Sequence, residues 1–588
     1  MRKSFQNILR AVLPLSVFFV LAFMLYYPAL NGEFVSDDYP YIVDNLAVRD
    51  VTDLVGLWRA FTTRFLVMVS FALNYHVGRL NPFGYHVVNV IIHALNAWLV
   101  MLLTRLTFRM PALKDNPLST RAESVAFYAG LIFLCHPIQT QAVAYITQRA
   151  TSLATLFYIL SLLCYGQARI TSRPGFWICS WIAMLSGVFC KEMIVTLPAA
   201  ALAYEYFFIG GLRKDWRARL KMLVPYVALS GLVLVIFLVE QPGSVLGLKG
   251  QLGSGRFDGR YFLTEVNVLR TYLRLLFVPV HQIHHYAYPM AKSFFDPATV
   301  VSFLLLAGVG WMAAHFRRRE RLISFTLTWF FITTAVEFWV VCFVRRGVLY
   351  EHWLYLPMVG FALFLSCILH RLIPRLSVAK SMLILMALAL SLLTIRRNHV
   401  WQTEVGFWED VVRKAADTPL VYLGSGTAYH RRGQLGQAFF HYQRGLDLFY
   451  KKKKQLRDVD RMYLGSLYNN LGLLYEQRGL REQALRAYQQ AYKQDPYNPN
   501  PLRNLTNICL ATGRYQQALF LLNQERKLRP HDPEIYYGLG LASLGLGHKD
   551  KAKVFLTRAE NLYRQYGYAD RAQKMRTILT RIPAEDNP

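Results

Sequence analysis

A chain of 588 residues exceeds one ordinary domain, and 54% of it is hydrophobic, which excludes a wholly soluble protein of this size. Formal net charge is +30, but many of the basic residues stand in short loops between apolar runs, where positive charge orients membrane helices, so a nucleic-acid partner is excluded. Of the 7 cysteines, all but Cys509 lie in or beside apolar segments without CxxC spacing and are read as small core residues rather than disulfides or zinc ligands.

The chain opens on MRKSFQNILRAVLPLSVFFVLAFMLYYPAL, a basic start followed by an apolar stretch near bilayer-spanning length and without a small-residue cleavage signature. It is read as a retained signal-anchor helix. Just after it, FVSDDYPYIVDN places Asp37 and Asp38 in a loop expected over 31–84. Further runs able to span recur at 85–106, 122–140, 152–168, 176–189, 193–209, 222–240, 298–315, 322–343, 352–370 and 381–395. With the first helix they make about eleven spans.

Taking the basic loops as cytoplasmic puts MRK, RLTFRMPALKDNPLSTR, ARITSRPG, RKDWRARLK, HFRRRER and HRLIPRLSVAK inside. Every second loop then lies outside, including 31–84 and 241–297, with Arg345 and Arg346 as exceptions to the charge bias. Within 241–297, YFLTEVNVLRTYLRLLFVP has apolar positions at helical period around Arg270 and Arg274, which predicts an interfacial helix rather than a span.

Beyond residue 395 the composition changes, and from 419 a period of about thirty-four residues marks tetratricopeptide repeats. One copy carries Gly472, Tyr475, Gly479, Ala484, Tyr488, Ala491 and Pro496; the next carries Gly513, Ala518 and Pro530, and then Gly540, Gly547, Ala552 and Ala559 follow. An earlier copy with Gly426, Tyr429, Gly433, Ala438, Tyr442 and Gly445 is set off by an insert around KKKKQLRDVDRM. The expected protein is all-α: a polytopic membrane domain over 1–395, a linker helix over 396–418, and a solenoid over 419–588. Its repeats fall near 419–452, 465–498, 499–532 and 533–566, with a capping helix at the end. An odd number of spans with the N-terminus inside places the solenoid outside, in the periplasm of a bacterial inner membrane or the lumen of the endoplasmic reticulum.

For chemistry, Asp37 and Asp38 come first, although Asp-Asp-x-Pro is also ordinary turn sequence. In an extended chain the two side chains would diverge, so at most one acts as a direct base. In YHVVNVIIHALNA, His86, Asn89, His93 and Asn96 form one polar stripe on an apolar helix, facing either other helices through hydrogen bonds or a ligand cavity. Other polar groups gather at external helix ends: Arg64, His136, Gln139, Gln141 and Arg149; Lys191 and Glu192; His284 and His285; Arg345, Arg346, Glu351 and His352. Cations beside carboxylates at one membrane face suit an anionic headgroup with its tail in lipid, such as a polyprenyl-phosphate-linked sugar. The alternative is headgroup anchoring of the helix ends. No arrangement has clear metal-ligand spacing, so a divalent cation stays open as a cofactor but is not indicated, and no P-loop, dinucleotide fingerprint or GxSxG elbow occurs.

The ordered segments GEFVSDDYPYIVDN, TTRFLVMVSFALNY, NPFGYHVVNVIIHALNAWLV, HPIQTQAVAYITQRATSLATLFYILSLLCY, CKEMIVTLPAAALAYE, YEHWLYLPMVGFAL and RRNHVWQTEVGFWEDVV, followed by repeats, resemble the transmembrane-and-TPR-containing O-mannosyltransferases and their bacterial relatives. The resemblance spans nearly the whole chain. It implies a GT-C glycosyltransferase fold and an inverting transfer of one sugar from a polyprenyl-phosphate donor to Ser or Thr hydroxyls of a protein on the external face. It implies Asp37, ahead of Asp38, as the base, with Arg64, Arg149, Lys191 and Arg345 or Arg346 holding the donor phosphate. The pocket would draw on His86, Asn89, His93, His136, Gln141, Glu192, His285, Glu351 and His352, and the concave face of the repeats would hold the acceptor. The chain departs from the animal pattern at Gln139 and Gln141 and has RFL where Arg-Pro-Leu is common, which leaves the sugar open. Two other functions fit parts of the pattern. A lipid-linked oligosaccharide ligase or polymerase would place essential residues in 241–297, and a non-catalytic scaffold would act through the repeats alone.

Overall fold

The computed structural model describes residues 2–210, 216–239, 257–286, 288–344, 348–451, 458–565 and 568–582. Every regular element among them is helical, and the chain divides into two compact units, Met1–Lys414 and Ala415–Pro588.

The first unit contains α1 (Arg2–Tyr26), α2 (Leu54–Ala60), α3 (Phe65–Gly78), α4 (Pro82–Phe108), α5 (Ala122–Cys135), α6 (Thr140–Ala144), α7 (Arg149–Thr171) and α8 (Pro174–Val188). It continues with α9 (Leu197–Tyr204), α10 (Trp216–Val239), α11 (Gly259–Phe277), α12 (Pro297–His315), α13 (Arg321–Val344), α14 (Pro357–Leu372), α15 (Leu376–His399) and α16 (Glu404–Lys414). Seven helices among the described residues are long and apolar enough to cross a membrane. Shorter apolar helices at Leu13–Ala29, Pro174–Val188, Leu220–Val233 and Pro357–Leu372 stand at the other expected spans. The protein is therefore a multi-pass membrane protein.

One expectation is corrected. The stretch 54–78 is not loop: Leu54–Ala60 and Thr62–Gly78 are two helices bent by 112° against each other. Residues 65–77 are apolar with almost no charge and no polar face, so neither helical amphipathicity nor loop composition marks them. By contrast α11 is strongly amphipathic, as its spacing predicts, and it packs on α12 and α13 without being among the spanning candidates.

The helices of this unit share one apolar core, with α4 at its centre packed on α1, α5 and α7. Close approach needs small residues at the crossings. A Cβ on Gly130 of α5 would stand 2.7 Å from the Ala97 carbonyl of α4, so a side chain there forces the helices apart.

The second unit is four helix pairs, α17 (Pro419–Arg431) with α18 (Leu435–Lys451), α19 (Asp458–Gln477) with α20 (Arg481–Gln494), α21 (Pro499–Ala511) with α22 (Tyr515–Leu528), and α23 (Pro533–Gly545) with α24 (Lys549–Gln565), closed by α25 (Ala569–Thr580). The turn inside each pair has its glycine in the left-handed region, Gly433, Gly479, Gly513 and Gly547, with φ from 72° to 79°. A Cβ there is costly, so Gly513→Ala is expected to destabilise the solenoid by about 1–2 kcal/mol, read as a lowered unfolding midpoint of its thermal transition.

Candidate active site

The loop after α1 turns rather than extends. Ser36 takes φ +48°, and Asp38, at φ −61° and ψ −29°, leads into a helical turn at Tyr39–Val43. The two carboxylates still diverge, and to different surroundings. Asp38 is fully buried: its Oδ2 accepts the Val35 amide at 3.0 Å and its Oδ1 the Thr147 amide at 2.9 Å. It staples the first loop to the turn that starts α7. Asp37 is exposed, and its own amide donates to the Tyr145 hydroxyl at 2.8 Å. Burial pushes the Asp38 carboxyl up to about 7, against the lowering pull of the two amides. Asp37 is also raised by desolvation, with Tyr145 and the Arg64 guanidinium pulling it back.

Two cations stand near. Arg64, 21% exposed, pairs loosely with Glu192 at 3.8 Å. Lys191 is buried, and its Nζ donates to Thr151 Oγ1 at 2.8 Å, which in turn donates to Gln148 Oε1 at 3.0 Å. Arg64 acts electrostatically on Asp37, and both Arg64 and Lys191 act on His352, so the loops before α3, after α8 and before α14 converge on one end of the helical unit. Burial lowers the Lys191 ammonium to about 8, with the neighbouring Glu192 and Glu337 carboxylates opposing that fall.

Arg149, expected among the phosphate ligands, is instead turned into the protein. Its Nε donates to Asn89 Oδ1 at 2.7 Å, Nη1 to the Ser70 carbonyl and hydroxyl, and Nη2 to the Tyr85 carbonyl at 2.9 Å, while the guanidinium lies over the Phe71 ring at 4.6 Å. A fully buried cation needs such acceptors, and they leave it no free face.

The polar stripe of α4 is likewise interhelical rather than a cavity wall. His86 contacts the Gly32 carbonyl at 3.3 Å, and Asn89 donates to the Val143 and Ile146 carbonyls. His93 bridges the Tyr355 hydroxyl at 2.8 Å and the Leu134 carbonyl at 3.1 Å, and Asn96 donates to the Ser152 carbonyl and to Tyr355. All four are buried, so they join α4 to its neighbours. His136 is a buried cap, accepting the Ile138 amide and donating to the Leu276 carbonyl at 3.0 Å.

The remaining expected residues form a second cluster. Gln141 Oε1 accepts the His352 amide at 2.7 Å, and its amide nitrogen meets His284 Nδ1 at 3.1 Å. Glu351 accepts the Ile283 amide and the Tyr286 hydroxyl, both at 2.7 Å, and Gln282 Nε2 at 3.2 Å. His285 is half-buried beside them; burial lowers His284 to about 3 and His285 to about 4, so both are neutral. These contacts fasten the loop after α11 to α6 and to the turn before α14. Arg345 and Arg346 lie outside the described residues.

The segment after α15 closes over this end. Trp401 stacks on Tyr145 with ring centroids 5.7 Å apart, and Phe407 meets His284 at 4.8 Å. The Glu404 amide donates to Glu33 Oε2 at 2.7 Å, Arg397 pairs with Asp410 at 2.8 Å, and Lys414 donates to the Gln282 carbonyl at 2.7 Å. Sequence reasoning did not single out Tyr145, Thr151, Trp401 or Glu337. Only Glu337 carried a signal, an acid inside the apolar run ITTAVEFWV. Among the described residues no group of three or more His, Cys, Asp or Glu side chains is placed to hold a metal ion. The arrangement offers in Asp37 an open carboxylate able to take a proton, and cations able to face an anion.

Tetratricopeptide-repeat families match residues 477–527 and 533–566. The chain is 24% identical over 611 residues to protein O-mannosyl-transferase Tmtc3 of Drosophila melanogaster, covering 89% of this chain and 64% of that one. It is 24% identical over 503 residues to human protein O-mannosyl-transferase TMTC1, covering 74% of this chain and 55% of the relative. It thus spans less than two thirds of the length of these relatives. Against human TMTC2 the identity is 31% over 253 residues, 39% of this chain and 28% of the relative. Among solved structures, ArnT from Cupriavidus metallidurans bound to undecaprenyl phosphate aligns over 88% of this chain and 80% of its own at 13% identity and TM-score 0.36. A multi-pass helical unit followed by tetratricopeptide repeats, together with similarity along 89% of the chain, makes this protein a relative of the TMTC protein O-mannosyl-transferases.

Proposed function

We propose that the protein is a membrane glycosyltransferase that moves one sugar from a polyprenyl-phosphate donor to Ser or Thr hydroxyls of a protein, on the external face of its membrane. The observation that carries this is the division of the Asp pair: Asp38 is sealed in the fold, while Asp37 stands open with a raised pKa and a cation beside it. The acceptor oxygen attacks the anomeric carbon, its proton passes to the Asp37 carboxylate, and the bond from that carbon to the phosphate oxygen breaks. Polyprenyl phosphate leaves as an anion, held by Arg64 and Lys191. The relatives' names, protein O-mannosyl-transferase, support transfer of a hexose to a protein hydroxyl, and the place proposed for it is a bacterial inner membrane or the endoplasmic reticulum. The repeats would supply the acceptor, since a solenoid's concave surface suits an extended peptide.

The test uses purified full-length protein with a panel of polyprenyl-phosphate sugars and Ser/Thr peptides, weighing the peptides by mass spectrometry. One donor is expected to give a single added hexose. Lys191→Met is expected to raise the KM for that donor by about ten- to hundred-fold, the worth of a hydrogen bond to a charged group. Absence of transfer from every donor overturns the enzyme reading in favour of a scaffold.

A further inference from the structure

Lys191 is a buried ammonium whose hydrogen bond within the fold goes to Thr151, although an ammonium carries three donors. Across from it, Glu337 of α13 is a buried carboxylate, 7% exposed, and its Oε2 has no hydrogen-bond partner. Two independent lines bring them together. The first is helical register. Trp329, Thr333, Glu337 and Val341 recur every fourth position on α13 and all are buried, so they share one face. On that face the Trp329 ring meets Tyr158 of α7 with centroids 5.7 Å apart.

The two helices run oppositely, since α7 begins and α13 ends beside the Gln141–His352 contact. From the Trp329–Tyr158 level, Glu337 lies eight residues toward that end, about 12 Å, and Thr151 lies seven residues toward it, about 10 Å. Glu337 and Thr151 are level, and Thr151 is the residue that holds the Lys191 ammonium. The second line is packing: α13 lies against the turn Glu192–Thr196, which follows Lys191 directly.

We infer that Glu337 is a positioning residue, the buried counter-charge that keeps the Lys191 ammonium protonated and turned toward the donor phosphate. The inference rests on the proposed role of Lys191. A lone ammonium in a low-polarity interior sheds its proton, whereas a facing carboxylate stabilises the charged form and fixes its direction. The other charged or titratable groups around Lys191 are Glu192, Arg64 and His352. Glu192 also supports the ammonium, but it is more exposed and is shared with Arg64, which opposes the Lys191 charge, whereas Glu337 is the buried carboxylate, with an Oε2 that has no hydrogen-bond partner.

The test measures binding of a fluorescent short-chain polyprenyl phosphate to the full chain in detergent across pH, alongside thermal stability. Removing the carboxylate lowers the ammonium's pKa, so the loss must appear on the alkaline side. Glu337→Gln is expected to bind within about two-fold of wild type near pH 6.5 and about ten-fold more weakly near pH 8.5, one unit of pKa being a factor of ten. Glu337→Asp, the gentler change, is expected to show a smaller loss in the same alkaline direction. Adding Lys191→Arg, whose guanidinium stays charged, is expected to remove the pH dependence of Glu337→Gln. A pH-independent loss, or an unchanged alkaline limb in both Glu337 variants, overturns the inference while leaving the Lys191 reading intact. Lys191→Met binding the lipid phosphate as well as wild type overturns that reading itself.

Discussion

Replacing Asp37 by Asn is expected to remove the proposed sugar transfer, with kcat falling by about 10²- to 10⁴-fold, the usual contribution of a general base, while the unfolding temperature stays unchanged. The contrast between the two neighbours drives this expectation. Asp37 is exposed, and Asn keeps the size of the side chain that meets Tyr145, so the change costs little stability. Asp38 receives two backbone amides, and in Asp38→Asn one of those amides faces an NH₂ group instead of an oxygen, costing about 1–3 kcal/mol. Stability falls in the second variant and chemistry in the first. Transfer by Asp37→Asn at the wild-type rate would remove it as the base. The pH profile gives a further check. A base works when deprotonated, and desolvation raises the Asp37 carboxyl, so with Asp37 as the base kcat is expected to fall as pH drops through a value above the ordinary carboxylate range. In Asp37→Asn that acid limb disappears.

The second large effect is structural. Arg149→Met is expected to destabilise the helical unit by about 3–5 kcal/mol, measured as a lowered unfolding midpoint, since it strands buried partners of a buried charge. Asn89 Oδ1, the Ser70 hydroxyl and the Tyr85 carbonyl all lose their donor, and the stacking over Phe71 goes with it. This separates Arg149 from Lys191, whose loss is expected to act on donor affinity instead. A folded Arg149→Met protein with normal stability but weakened donor binding would return Arg149 to the phosphate site.

Periodicity made some of the architecture readable in advance. Glycines at 479, 513 and 547 repeat because every helical pair needs the same left-handed turn, and only a residue without Cβ adopts it freely. The amphipathic α11 was readable because embedded arginines at helical period cannot sit in hydrocarbon. Helices α2 and α3 were not, since an apolar stretch beside a bent junction carries no period that distinguishes it from a loop edge or a short span.

The polar residues show where local pattern stops being informative. His86, Asn89, His93 and Asn96 stand on one helical face, and their spacing alone shows that they face something polar. Whether that is ligand or protein depends on carbonyls freed at Val143, Ile146 and Leu134, helix ends distant in sequence that only folding brings to α4. The same holds for Glu337, which the sequence marks as an anomaly in an apolar helix but pairs with nothing.

By itself the sequence determined the helical class, the order of apolar spans, the repeat period and the candidate acids, because each follows from spacing along the chain and the cost of placing charge in lipid. The tertiary structure decided which carboxylate is open and which is a staple, and which cations face inward. Those properties belong to a residue's three-dimensional neighbours: Asp38 is closed by an amide at Thr147, more than a hundred positions away, and Asp37 beside it meets no such partner for its carboxylate from that turn's backbone.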